Sequence, residues 1–202
     1  AAAQPNLQIV RFTVFSAKPI ANLTFVPRAG AAPQKLTFFP TARSSRAEYR
    51  GTMPLRFSDE SGLVVAEATI PPEIREPLLL FSAVEPAPAK GLRYQVAVLD
   101  DSQLAHQPGG LTIINLSGLA LSGTVADKAV TLQPGLNAPI PVARSAKVVL
   151  RATANKRTVQ SYAETVQLSS KQRALLILFP PFYKGSLEVQ SRLLIDDPTS
   201  TR

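Results

Sequence analysis

The sequence predicts an all-β protein, built as two tandem antiparallel β-sandwich domains related by internal duplication. Three observations lead there. First, 18 Pro and 10 Gly punctuate the 202-residue chain. Between them lie short segments rich in Val, Leu, Ile, Thr and Phe, the pattern of short strands joined by turns. Second, apolar spacing of the i, i+3, i+4, i+7 kind is scarce, so the crossover helices of a parallel α/β sheet are missing. Third, the chain resembles itself at an offset of about one hundred residues.

The strand segments show a period of two. In Lys147–Ala152, Val148, Leu150 and Ala152 point one way and Lys147, Val149 and Arg151 the other. Leu187–Leu193 alternates likewise, with Glu188, Gln190 and Arg192 outward. Prolines 40, 54, 71, 72, 77, 134, 139 and 141 are expected at strand ends and edges, because proline donates nothing to a sheet ladder. An apolar edge around Leu36-Thr37-Phe38-Phe39 would suit strand addition by a protein partner.

The duplication rests on matches in one order. Val10–Ser16 aligns with Leu111–Ser117, an offset of 117 − 16 = 101. Leu55-Arg56 aligns with Leu150-Arg151 at 95, and Ala66-Glu67 with Ala163-Glu164 at 97. Arg75–Phe81 aligns with Arg173–Phe179 at 98, and each copy closes on a double aspartate, Asp100-Asp101 and Asp196-Asp197. The boundaries expected are 1–103 and 104–202, with a linker over about 102–110 that contains Pro108, Gly109 and Gly110. A copy of this size, with seven or eight strands, suits an Ig-like or transthyretin-like sandwich.

Asn115-Leu116-Ser117 followed by Leu132-Gln133-Pro134-Gly135 and paired strands resembles secreted bacterial β-sandwich domains of unknown function. The first copy departs from the pattern, with Val14 and Thr41 at the places of Asn115 and Gly135. The resemblance implies an extracytoplasmic place and brings no catalytic residue.

Composition narrows the chemistry. With no Cys, disulfides, thiolate nucleophiles and cysteine metal sites are excluded. The one histidine, His106, falls in the expected linker, where a solvent-exposed ring is the expectation and a catalytic triad or a zinc or copper site is not. The double aspartates lack the Asp-x-Asp-x-Asp-Gly pattern of a calcium loop, and are expected to end their strands and bond the next turn. Glycine-rich phosphate loops are absent, and with no Trp a stacking platform for sugars is weakly supported. The expectation is therefore no enzyme and no cofactor. No run of 18 apolar residues marks a transmembrane helix. Ala1-Ala2-Ala3-Gln4-Pro5 reads as the remnant of signal-peptide cleavage, which predicts a periplasmic or secreted protein.

Charge supplies the one functional lead. Residues 1–103 hold eleven Lys/Arg and nine Asp/Glu, a net +2, while residues 104–202 hold eleven and five, a net +6. Arg144, Lys147, Arg151, Lys156 and Arg157 cluster where no acid lies between Asp127 and Glu164. The first copy offers Arg43, Arg46 and Arg50, with Arg56 further on, as the matching basic region. Such a face would hold an envelope protein or an anionic polysaccharide. The function expected is a non-catalytic binding or structural module presenting loops and a basic sheet face. The alternative is a carrier of a small or polymeric anionic ligand between sheets or domains. Specific nucleic-acid binding is not expected, since no reading helix or aromatic RNA motif accompanies the charge.

Overall fold

Seventeen strands and no α-helix make up the described residues of the computed structural model, which are 7–154 and 156–200. Ala1–Pro5, read above as a cleavage remnant, lie outside them. The chain divides into two compact units, with the break between Ser102 and Gln103.

Unit 1 contains β1 (Gln8–Ser16), β2 (Thr24–Phe25), β3 (Gln34–Lys35), β4 (Ala47–Gly51), β5 (Leu55–Ser58), β6 (Val64–Ala68), β7 (Pro77–Ala83) and β8 (Tyr94–Asp100). They form two four-stranded sheets, ordered β4-β1-β7-β8 and β3-β2-β5-β6. Their inner faces meet over Val10, Phe12 and Val14 of β1, Phe25, Leu55 and Phe57 of the second sheet, and Leu79 and Phe81 of β7. Phe12 sits edge-on to Phe25 and Phe57, with ring centroids 5.1 and 6.2 Å away. At one margin the Arg93 amide donates to the Val65 carbonyl at 2.8 Å, which ties the two sheets together.

Unit 2 contains β9 (Gly110–Asn115), β10 (Leu121–Val125), β11 (Lys128–Leu132), β12 (Gly135–Leu136), β13 (Ile140–Pro141), β14 (Ser145–Ala154), β15 (Arg157–Gln167), β16 (Arg173–Phe179) and β17 (Gln190–Asp196). Its sheets run β12-β9-β16-β17, with β13 also on β9, and β11-β10-β14-β15. The order repeats that of unit 1 strand for strand, with β12 and β13 sharing the place of β4. Leu111, Ile113, Val148, Leu150, Val166, Leu176 and Leu178 fill the space between the sheets.

Two expectations are corrected. Neither sandwich is wholly antiparallel, since β1 runs parallel to β7 and β9 parallel to β16. In each unit the chain crosses between the two sheets and back, with β4 or β12 and β13 returning to the first, before β7 or β16 re-enters beside the starting strand. A connection of that length permits a parallel pairing, which a short hairpin does not. The register of the repeat also shifts. Offset 98 matches Leu79, which faces the core of unit 1, with Ile177, which does not face the core of unit 2. Leu79 and Phe81 face one core and Leu176 and Leu178 the other, so an odd offset, 176 − 79 = 97 or 178 − 79 = 99, preserves the face. A slip of one residue turns every side chain to the other face, and a uniformly apolar run hides it from the sequence.

Leu36–Phe39 is not a sheet edge either. Leu36 and Phe38 turn into the core, with Phe38 edge-on to Phe81 at 5.2 Å, while Thr37 and Phe39 are exposed.

Candidate functional site

β14 sets out the basic face of unit 2. Val148, Leu150 and Ala152 are buried, so the strand's alternation turns Lys147, Val149, Arg151 and Thr153 outward. Its neighbours complete the surface. Lys147 lies opposite Thr165, Val149 opposite Thr124 and Ala163, and Arg151 opposite Ser122 and Gln160. β14 itself is regular, the extra residue at its register shift being Ser161 on β15. Lys147 and Arg151 therefore stand about 13 Å apart along one strand. None of these paired residues is a carboxylate; Asp127 follows Ala126, whose amide donates to the Lys147 carbonyl at 2.8 Å, and makes no ion pair with Lys147.

Arg144 precedes β14, and at its far end Lys156 lies in the turn and Arg157 opens β15. Lys156 holds a left-handed backbone, φ 62°. All five cations are exposed, and none makes an ion pair among the described residues. Glu164 belongs to the other side of the sheet, where it accepts a hydrogen bond from the Tyr162 hydroxyl at 3.1 Å. Burial first, and that carboxylate second, push the Tyr162 pKa well up.

Unit 1 does not repeat this face. Arg43, Arg46 and Arg50 lie before or on β4, in the sheet that corresponds to β12-β9-β16-β17, whereas β14 corresponds to β5. Arg43 is turned inward and clamps Asp101 through Nε at 2.7 Å and Nη2 at 3.0 Å, the two side chains only 7% and 5% exposed. Arg46 donates to Glu76 at 2.8 Å. Arg50 is exposed on the face it shares with Glu48, which pairs across the strands with Arg11. On β5 itself, Arg56 meets Glu67 at 2.9 Å. The shared basic region expected from sequence is thus corrected: Arg43, Arg46 and Arg50 belong to the other sheet, and carboxylates meet Arg43, Arg46 and Arg56. Only unit 2 carries an acid-free basic sheet face among the described residues.

His106 is likewise not a solvated linker residue. It is 7% exposed, its Nδ1 lies 2.8 Å from the Thr112 hydroxyl, and its carbonyl accepts from Arg173 Nη1 at 3.3 Å. The segment that was to be a free linker is built into unit 2, where Gly109 donates its amide to Gln172 at 2.7 Å. The aspartate pairs divide their work. Asp100 and Asp197 accept from the Ser102 and Thr199 amides at 3.0 and 2.9 Å, as strand-ending residues do. Asp101 and Asp196 instead hold the buried guanidinium groups of Arg43 and Arg173.

Two features escaped the sequence reading. Arg173 is almost fully buried, although its repeated place with Arg75 was visible. Phe182 and Tyr183 are exposed side by side in a loop, and the flanking Pro180-Pro181 and Gly185 were their only signal.

No protein-family model matches the chain, and no curated protein matches it in sequence. Geometry and charge alone carry the functional reading.

Proposed function

We propose that this chain is a non-catalytic, extracytoplasmic binding module. It presents its loops and the β10-β14-β15 face of unit 2 to an envelope partner, with an anionic polysaccharide as the leading ligand class and an envelope protein next. The paired sheets of each unit support an Ig-like or transthyretin-like sandwich. One observation carries the reading: Lys147 and Arg151 project from a regular strand among Ser, Thr, Gln and Ala side chains, with no carboxylate to neutralise them. Cations set about 13 Å apart on a rigid sheet match repeated charges along an extended polymer, with the backbone that carries them already ordered. In 0.15 M salt the screening length is about 8 Å, so each charge acts nearly alone and binding weakens steeply with salt.

The test is binding to an immobilised anionic polysaccharide across a salt series, with the native chain and a Lys147→Gln/Arg151→Gln/Arg157→Gln variant. All three residues are exposed, so the variant is expected to keep its stability to within about 0.5 kcal/mol per site. Salt-sensitive binding that disappears in the variant supports the reading. Equal binding by both proteins, or none by either at low salt, removes it.

A further inference from the structure

The four connections at one end of unit 2 are β9–β10, β11–β12, β14–β15 and β16–β17. The pairings place them together: Leu121 lies opposite Ala152, Gly135 opposite Asn115, and Phe179 opposite Gln190, while β16 runs parallel to β9. This end gathers Lys156 and Arg157 from the β14–β15 hairpin and Phe182, Tyr183 and Lys184 from a separate loop. Glu188 is the one carboxylate in these connections.

The aromatic loop is ordered. Gln190 Nε2 donates to the Pro180 carbonyl at 2.9 Å, the Ser186 amide to the Tyr183 carbonyl at 3.1 Å, and Leu187 packs onto the core. On this support the two rings project into water, Phe182 75% and Tyr183 73% exposed. They touch edge to face, centroids 5.1 Å apart and planes at 69°. Packing within the unit does not require such exposure, and adjacent exposed rings mark an interaction site. Rings at that angle do not form one flat platform for a sugar chain. They form a wedge.

The corresponding end of unit 1 is neutralised. Lys18 is paired with Glu85 and Arg93 with Asp59, while Asn22 donates to Glu60. Hydrogen bonds led by the Ser61 hydroxyl hold the Asp59 carboxyl below its ordinary pKa, and Lys18 does the same for Glu85. No ion pair among the described residues involves Lys156, Arg157 or Lys184. Cations spread over separate loops around an aromatic wedge complement a charged plane more closely than one pocket.

We infer that this end of unit 2 docks on an anionic lipid bilayer, with Phe182 and Tyr183 entering the headgroup region and Lys156, Arg157 and Lys184 meeting lipid phosphates. Arg157 belongs to both surfaces, while Lys147 and Arg151 belong to the sheet face alone and Phe182, Tyr183 and Lys184 to this end alone, so variants confined to those residues separate the two readings.

Phe182→Trp tests it directly, because the full chain has no other tryptophan. With vesicles of phosphatidylcholine and phosphatidylglycerol, the emission is expected to shift to the blue and to be quenched by brominated acyl chains. Pure phosphatidylcholine and soluble polyphosphate should leave it unshifted. In co-sedimentation, Phe182→Ala/Tyr183→Ala should weaken vesicle binding about tenfold or more. Each of Lys156→Gln, Arg157→Gln and Lys184→Gln should weaken it about fivefold, and Lys147→Gln/Arg151→Gln should leave it unchanged. Both rings face water, so their removal leaves the fold intact, which an unchanged Tm verifies. An unshifted tryptophan on anionic vesicles at low salt overturns the inference. So do native binding by the double alanine variant and an equal shift with polyphosphate.

Discussion

Arg173 offers the sharpest test of how unit 2 is held together. Its side chain is 2% exposed, and it reaches Asp196 through Nε at 3.1 Å and Nη2 at 3.1 Å, and the His106 carbonyl through Nη1 at 3.3 Å. It therefore links the start of β16, the end of β17 and the segment leading into β9. Arg173→Met keeps the length and much of the apolar stem but strips the carboxylate and the carbonyl of their donor. Breaking a buried ion pair from one side costs about 3–5 kcal/mol. The Asp196 side chain is 28% exposed, so water reaches it and the lower figure, about 3 kcal/mol, is expected. For a unit of this size, that lowers Tm by about 12–24 °C. Adding Asp196→Leu removes the stranded carboxylate and should restore a large part of the loss, a coupling of about 1–3 kcal/mol. Arg46→Met is the control: its partner Glu76 is about one-third exposed, and the loss should stay below about 1 kcal/mol. Urea and thermal melts of the full chain by circular dichroism read these three variants and Asp196→Leu alone, which closes the cycle. A cost below about 1 kcal/mol for Arg173→Met, or no recovery in the double variant, would refute the clasp.

Two further outcomes follow from the same unit. Gly123 passes so close to β14 that an added Cβ would lie 1.9 Å from the Val149 carbonyl oxygen, so Gly123→Ala must push two strands apart and should cost about 3 kcal/mol or more, read as a lowered urea midpoint. Tyr162 has its folded pKa raised above the ordinary tyrosine value of about 10, chiefly by burial and then by Glu164. Its neutral form is favoured in the folded state, so its contribution is complete below pH 10 and is lost as pH rises from there toward the folded value. A pH series of urea melts should fall above pH 10 in the native chain and flatten in Tyr162→Phe; the same slope in both would remove Tyr162 from that role.

How much of this was legible beforehand depends on the residue. The alternation in β14 fixed which of its side chains face water, because a period of two has only two solutions once Val148 and Leu150 are apolar. Lys147 and Arg151 could thus be placed on one face from sequence. Whether a cation has a partner is decided by strand neighbours far along the chain. Arg56 and Arg151 look alike in their local matches, yet one faces Glu67 and the other Gln160. Arg43 and Arg173 showed no local sign of burial, since their aspartates lie 58 and 23 residues away.

The sequence by itself determined the all-β class, the repeated order of apolar segments and the excess of positive charge after residue 103. These follow from local periodicity, turn residues and counting. Only the tertiary structure decided the parallel pairing of β1 with β7 and β9 with β16, the burial of His106, and the gathering of aromatic and basic loops at one end of unit 2. Each of these depends on which distant strands become neighbours. That choice is made by the packing of two apolar sheet faces, whose strands carry interchangeable Val, Leu and Ile and so leave their partners unmarked.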